Sequence, residues 1–250
     1  MPKFEELLKH VEENTVTFKI SMISDPKKFV WIRPLKTKDQ KLAIIAKDEG
    51  EGNPLLNFEH LIDLLDEIIV KQDKSINDMT IPDFVWLLIN LRTKSLGDLI
   101  DFRVKCKTPK CVGSTKLTFD LVKDLVIIPA PETFKNNVVA MTKDMKFILG
   151  ELTVDNMHDV LMSGDKETEQ AVTMAGILKD VEFEGQLVPD LTLEQKVKLC
   201  GETTEEQTKQ FEAFGKVNEY GPFIKKKYKC ATCGQEHEET FNSFEVINFF

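Results

Sequence analysis

Hydrophobic residues recur along this chain with two periods, that of a strand and that of a helix, and segments of the two kinds alternate. Residues 16–22 alternate between apolar and polar side chains, which is typical of a half-buried strand. Residues 56–71 place leucine and isoleucine three and four positions apart, which predicts an amphipathic helix. Residues 81–92 are apolar almost throughout, so we expect a second long helix to be buried, with Trp86 in the core. Helical segments around small antiparallel hairpins predict an α+β fold.

The same two patterns predict the other elements. Alternation at 137–149 predicts a pair of strands, and Glu184-Gly185 is expected to form a hairpin turn. Thr192 and Gln195 have the spacing of a capping box at a helix start. The remaining predicted helices cover residues 4–13, 37–46, 153–162, 166–180, 192–199 and 203–215.

These elements divide the chain into five segments that form one or two compact units. The Pro-Ala-Pro at 129–131 is the best candidate for a linker or crossing point. The segments are an N-terminal helix and hairpin (1–34), a helical region (35–97), a first cysteine hairpin (98–128), a mixed α/β insertion (129–220) and a second cysteine hairpin with an apolar tail (221–250).

Four cysteines in two pairs carry the candidate chemistry. Cys106 and Cys111 have C-x4-C spacing, and Cys230 and Cys233 have C-x2-C spacing. Alternating residues flank each pair, so each pair is predicted to sit at a hairpin tip. Two such tips could meet and bind one structural Zn²⁺ through four thiolates. The result would be a zinc-ribbon-like clamp that joins residues far apart in the chain.

Other interpretations of the cysteines stay open at this point. The pairs could be reduced thiols, a disulfide or redox dithiol, or ligands of another metal. His237 follows Cys233 by four positions and could replace a ligand, but with four cysteines present we expect it at the surface. The fifth cysteine, Cys200, has apolar neighbours and is expected to be a small core residue. The paired spacings favour a reducing compartment.

Basic residues flank both predicted tips and suggest a nucleic-acid patch. Against this, lysines protect exposed strand edges, and acidic residues on the neighbouring strand would pair with them. The net charge of −9 also disfavours binding through bulk charge. Nucleic acid is therefore not expected as a partner. The basic residues are Arg103, Lys105, Lys107, Lys110, Lys225, Lys226, Lys227 and Lys229, and the acidic ones are Glu236, Glu238 and Glu239.

We expect no enzymatic activity. Dinucleotide, phosphate-loop, metalloprotease and nucleophile-elbow motifs are absent from the sequence. The four histidines show no triad or metal spacing. A hydrolase whose carboxylates meet only in the folded state is kept as a third option. The 250 residues are 42% hydrophobic and 30% charged, as in an ordinary soluble protein, and neither a membrane span nor a signal peptide is expected.

The order of several motifs resembles a known family. These are Phe29-Val-Trp-Ile-Arg-Pro-Leu-Lys-Thr-Lys-Asp39, the long apolar helices, the mid-chain cysteine pair and Tyr228-Lys-Cys-Ala-Thr-Cys-Gly-Gln-Glu-His237. The chain is similar in this order to baseplate proteins of T-even-type contractile-tailed phages, namely hub subunits and hub assembly factors. The resemblance covers most of the chain, and family members vary in their cysteines. The zinc site is therefore inferred from spacing alone.

The resemblance implies a structural or assembly component of the baseplate hub that docks other baseplate and tail proteins. A homo-oligomer is possible. The expected location is the virion tail baseplate, with the host cytoplasm during assembly. The alternative, from a different class, is a zinc-ribbon nucleic-acid-binding regulator.

Overall fold

Helices and short strands alternate throughout a computed structural model, which describes residues 3–39, 53–163 and 169–241. Every paired strand described is antiparallel, so the protein has a mixed α+β fold, as predicted. The helices are α1 (Phe4–Glu13), α2 (Pro54–Ile68), α3 (Ile81–Ser95), α4 (Val154–Ser163), α5 (Glu169–Ile177), α6 (Leu193–Gly201) and α7 (Glu205–Val217). The strands are β1 (Phe18–Ser21), β2 (Phe29–Ile32), β3 (Ile69–Gln72), β4 (Leu99–Lys105), β5 (Ser114–Asp120), β6 (Leu125–Ile128), β7 (Val138–Ala140), β8 (Met145–Leu149), β9 (Leu178–Phe183), β10 (Gln186–Val188), β11 (Gly221–Lys229) and β12 (Glu236–Phe241).

The described strands form small sheets of two to four strands. Their orders are β1-β2-β3, β10-β9-β8-β7, β12-β11-β6 and the β4-β5 hairpin. The β12-β11-β6 sheet joins strands that are far apart in the sequence. In it β11 pairs β6 from the middle of the sequence, with Ile224 opposite Leu125 and Gly221 opposite Ile128. The C-terminal hairpin is therefore tied to the segment that follows the first cysteine hairpin.

The first hydrophobic core is built around α2 and α3. Thr80 caps α3 by accepting a hydrogen bond from the Asp83 amide. Phe84 and Leu65 are fully buried in this core. Trp86, predicted to be a core residue, is only half-buried, and its indole Nε1 donates to the Ser21 carbonyl oxygen at 3.0 Å. Its polar edge therefore needs a partner at the rim of the core.

The second core lies between the β10-β9-β8-β7 sheet and the helices α5 to α7. Phe147 and Phe211 meet there edge to face, with ring centroids 6.3 Å apart. Cys200 is buried in it, as predicted, and burial raises the pKa of its thiol to about 12. The capping box predicted for Thr192 and Gln195 is confirmed at the start of α6.

Two predicted helices end earlier than expected because a strand takes over. The helix predicted to reach residue 71 ends at Ile68, and β3 pairs β2 from Ile69 onward. The helix predicted to reach residue 180 ends at Ile177, where β9 begins. Pairing with neighbouring strands overrides local helix propensity in both places. The helix predicted at 37–46 lies outside the described residues from residue 40 onward, as does the apolar tail from residue 242.

A buried ion pair holds the Ile-Arg-Pro-Leu-Lys stretch in place. Arg33 and Asp39 are both buried and form a two-pronged salt bridge, with Arg33 Nη2 at 3.1 Å from Asp39 Oδ1. Nη2 also donates to the Glu67 carbonyl oxygen at 2.9 Å. Burial raises the pKa of the Asp39 carboxyl, but hydrogen bonds from Arg33 and from the Lys36 amide outweigh it, so the pKa lies below its ordinary value.

Candidate metal centre

Two hairpins deliver the four paired cysteines to one place. The β4-β5 hairpin carries Cys106 and Cys111 in the loop between its strands, and the β11-β12 hairpin carries Cys230 and Cys233 in its loop. Both pairs therefore lie at hairpin tips, as the alternating flanks predicted.

Backbone hydrogen bonds shape the first tip around the sulfur of Cys106. The Thr108 amide points at Cys106 Sγ at 3.4 Å, and the Cys106 amide donates to the Gly113 carbonyl oxygen at 2.9 Å. Cys111 donates to the Thr108 carbonyl oxygen at 3.1 Å, and Lys110 before it has a φ of 67°. This left-handed residue reverses the chain so that Cys111 turns back toward Cys106.

The second tip repeats the arrangement with a shorter loop. The Thr232 amide points at Cys230 Sγ at 3.4 Å, just as Thr108 does in the first tip. Gly234 donates to the Cys230 carbonyl oxygen at 2.9 Å and has a φ of 74°, which favours glycine. Both tips thus contain Cys-x-Thr, with the threonine amide directed at the cysteine sulfur.

The four sulfur atoms converge. Cys106 Sγ lies 3.6 Å from Cys233 Sγ, and Cys111 Sγ lies 3.9 Å from Cys230 Sγ. All four lie within 4.8 Å of one another. These distances are well beyond the roughly 2.05 Å of a disulfide, and all four cysteines are free. The prediction that the tips meet is confirmed, and the cluster could bind a metal ion.

The chain pushes the thiol pKa values in opposite directions within the cluster. The Cys233 and Thr232 amides lower the pKa of Cys230 to about 6, and the Gln235 amide lowers that of Cys233. At Cys111 the Gly113 amide also lowers the pKa, but burial and the three neighbouring sulfurs outweigh it and raise the pKa to about 12. Four thiolates cannot share this space without a cation between them.

His237 lies beside the cluster rather than at the surface, which corrects the sequence-based expectation. Its Nε2 is 3.3 Å from Cys106 Sγ and 3.3 Å from Thr108 Oγ1, and the side chain is half-buried. The ring is 5.4 Å from that of Tyr228, directly opposite it on β11. Strand alternation brings His237 to the inner face, a signal that the spacing from Cys233 alone did not reveal.

The two tips fit each other closely at Gly113. A Cβ atom on Gly113 would lie 2.3 Å from Thr232 Oγ1 and 2.5 Å from Thr232 Cβ. Both distances are far shorter than a van der Waals contact, so only glycine allows the approach. The absence of a side chain at Gly113 thus lets the second tip come near.

Aromatic rings join the two hairpins beneath the tips. Phe102 stacks on Phe119 with ring centroids 4.0 Å apart, and Phe241 meets each of them edge to face at 5.5 Å. Phe102 and Phe119 belong to the first hairpin and Phe241 to the second. The hairpins are thus packed together independently of the sulfur atoms.

Carboxylates partner several of the basic residues near the tips, as the sequence suggested. Lys107 Nζ lies 2.7 Å from Glu239 Oε2, and Lys227 Nζ lies 3.7 Å from Glu238 Oε2. Lys226 instead pairs Asp124, which follows the first hairpin, at 2.5 Å. These pairings reduce the positive charge that the two hairpins present.

Within residues 3–39, 53–163 and 169–241, the four cysteines are the one group of three or more metal-binding side chains with ligand atoms this close. Among the described residues, no helix combines the length and apolar character that crossing a membrane requires.

A family model described as T4 bacteriophage base plate protein matches residues 15–250. A search of curated proteins and a search of solved structures each found no match to the chain.

Proposed function

The chain belongs to the family of T4 bacteriophage base plate proteins, and from that premise we propose that it is a subunit or assembly factor of the baseplate hub. Membership supports a structural role in the phage baseplate and interaction with other tail proteins. The match over nearly the whole length is the observation that carries the proposal. A structural family is also consistent with a chain that has no enzymatic activity.

The proposed mode of action is protein–protein docking on a scaffold that the cysteine clamp holds together. The protein would act in the virion tail baseplate and be present in the host cytoplasm during assembly. The first core draws mainly on the first half of the chain, the first cysteine hairpin and β6 come from its middle, and β11 and β12 come from its last thirty residues. Their relative positions therefore determine which surfaces face partner proteins.

We further propose that Cys106, Cys111, Cys230 and Cys233 bind one structural Zn²⁺. In a tetrahedral site with Zn–S bonds of about 2.3 Å, neighbouring sulfurs lie about 3.8 Å apart. The observed 3.6 and 3.9 Å fit this spacing. The threonine amides directed at Cys106 and Cys230 would stabilise the thiolates.

Four thiolates fill a tetrahedral site, so no position is left to activate water. Bound zinc would supply folding free energy, roughly 10 kcal/mol in isolated zinc-finger peptides. In this chain both tips are preformed by their backbone hydrogen bonds, and the aromatic rings of Phe102, Phe119 and Phe241 support them. The proposed role is a clamp.

The alternative, a zinc-ribbon nucleic-acid-binding regulator, is less well supported. The lysines that would contact phosphates include three that pair with Glu239, Asp124 and Glu238. The net charge of −9 also repels a polyanion.

Tagging the chain in its phage and purifying baseplates and their assembly intermediates tests the hub proposal. We expect the chain at a fixed ratio to other baseplate proteins in at least one of these fractions. Absence from all fractions, together with no crosslink to any baseplate protein, would refute it. Tight, salt-dependent binding of DNA or RNA by the purified chain would favour the regulator instead.

A further inference from the structure

A cavity of about 260 Å³ lies between the two hydrophobic cores. Ile81 and Leu152 line it from the side of the first core, and Phe134, Ile177 and Phe214 line it from the side of the second. Its volume is below the roughly 300–1,000 Å³ of clefts that bind drug-sized ligands. Its size suits a single long side chain better than a nucleotide or cofactor.

A carboxylate with spare hydrogen-bonding capacity lines this otherwise apolar cavity. Tyr220 donates its hydroxyl hydrogen to Glu151 Oε1. Burial and the neighbouring Glu151 charge raise the pKa of Tyr220, so the phenol stays protonated and remains a donor. Within the described part of the chain, Glu151 Oε2 accepts no hydrogen bond and Glu151 forms no salt bridge. Glu151 is half-buried, and its second carboxylate oxygen is thus left for an incoming donor.

The charged groups that line the cavity are all acidic. Its lining contains two carboxylates, Glu151 and Glu219, and no lysine, arginine or histidine. The rings of Phe134, Phe214 and Tyr220 add the negative faces that attract cations. An occupant should therefore combine an apolar stem with a cationic head.

The lysines that line an adjoining cavity leave this charge uncancelled. A neighbouring cavity shares Glu151 and is lined by Lys74, Lys179 and Lys196. Lys196 Nζ donates to the Leu178 carbonyl oxygen at 2.8 Å. None of these lysines lies within ion-pair distance of Glu151, whose strongest contact is the neutral Tyr220 hydroxyl.

We propose that the cavity receives a lysine or arginine side chain of another baseplate protein, with its alkyl stem against Phe134 and Phe214 and its head on Glu151. This inference rests on the proposed function and names the chemistry of one docking contact. Long cationic side chains bury their stems along apolar walls. A cation on a carboxylate forms a charge-assisted hydrogen bond, and arginine is one of the residues enriched at the hot spots of protein interfaces.

The cavity also lies at the far end of the strand that leads to the clamp. Tyr220 immediately precedes β11, which runs from Gly221 to Lys229, and Cys230 follows. At about 3.3 Å per residue the strand spans roughly 26 Å. A partner anchored at Glu151 would therefore be held at a fixed distance from the cysteine tips.

Titrating the intact chain with n-butylguanidinium, followed by backbone amide NMR signals, tests the chemistry. n-Butylurea is the neutral probe of the same shape. We expect saturable shifts for Gly150 and Leu152 with the guanidinium probe and much weaker ones with the urea. Glu151→Gln keeps an acceptor for Tyr220 and should weaken guanidinium binding about tenfold. Glu206→Gln removes one charge at an exposed site of α7 outside the cavity and should change nothing.

Three results would overturn the inference: equal binding of both probes, unchanged guanidinium affinity in Glu151→Gln, or no saturable shift in the wild-type chain. Thermal unfolding of each variant checks that the fold is kept. Baseplate incorporation then tests the occupant. If wild type and Glu206→Gln are incorporated but Glu151→Gln is depleted, the docking contact is supported. Equal incorporation of all three overturns the contact and leaves the hub proposal standing, whereas absence of wild type refutes the hub proposal and this occupant with it.

Discussion

The first core and the distal ends of the cysteine hairpins are held together by different means. In the first core, Phe84, Leu65 and Ile32 are fully buried among many other apolar side chains. The β4-β5 hairpin begins in that core, where Phe119 is buried, and ends outside it. Beyond that point the buried apolar cluster consists of Val104, Leu117 and Tyr228.

The difference explains where a metal would be needed. Burial of a large apolar side chain contributes about 1.5–3 kcal/mol, so the first core has ample stabilisation of its own. These three residues, with Phe102 and Phe241 packed against them, give the tips far less hydrophobic stabilisation than the first core has. Small structural units of this kind commonly depend on a metal or disulfides. The four cysteines lie at the hairpin tips, where few apolar side chains are buried.

Replacing one ligand should have the largest local effect. Cys230→Ser is expected to release the metal and to expose the amides of β4, β5, β11 and β12 near the tips to hydrogen exchange, while α3 stays protected. The reason is that the proposed zinc would contribute most of the stabilisation there. Cys200 belongs to neither cysteine pair, so Cys200→Ala should leave metal content unchanged. If the tip amides of Cys230→Ser stayed fully protected from hydrogen exchange, the proposed difference between the first core and the tips would be contradicted.

Truncating a side chain of the first core should lower the stability of the fold and leave metal binding intact. Phe84→Ala is expected to cost about 3–5 kcal/mol of unfolding free energy, measured by urea denaturation, because it leaves a cavity beside Phe58. Metal content should not change. Phe4→Ala, at a side chain that is 69% exposed, is the matched control and should be nearly neutral. Loss of metal in Phe84→Ala would show that the two regions are not independent.

A methyl group at the contact between the tips should have an intermediate effect. Gly113→Ala is expected to cost about 1–3 kcal/mol, because the new Cβ would overlap Thr232. Metal affinity should fall with it. At Gly201 a Cβ would meet nothing within 4 Å, so Gly201→Ala serves as the control. Unchanged metal affinity and stability in Gly113→Ala would mean that the tips need not approach this closely.

Acid should weaken the Arg33–Asp39 pair in a smaller and reversible way. The pKa of Asp39 lies below its ordinary value of 3.8, so its contribution is present above that pH and is lost as pH falls through the folded-state pKa. Asp39→Asn should flatten the decline of stability below about pH 4, measured by thermal unfolding. Asp66→Asn, at an exposed site of α2, should leave the decline as it is in the wild type.

The sequence predicted the α+β class, most helix positions and the meeting of the cysteine tips. It could do so because the tip signal is local: each pair sits between alternating strands, and each needs only its own hairpin. The helix ends predicted at residues 71 and 180 were wrong, because Ile69 and Leu178 are drawn into strands by distant partners. The division into five segments stays a prediction.

Contacts that depend on tertiary structure could not be found in this way. Glu151 and Tyr220 are 69 residues apart and carry no motif. The place of His237 follows from its register opposite Tyr228, which no spacing rule supplies. The approach of Thr232 to Gly113 likewise exists only once both hairpins have folded.

Metal analysis of the intact chain, purified under reducing conditions without added zinc, tests the clamp most directly. Native mass spectrometry should show one zinc per chain in the wild type and in Cys200→Ala, and none in Cys230→Ser. A wild-type protein that is folded and carries clearly less than one metal per chain would contradict the account.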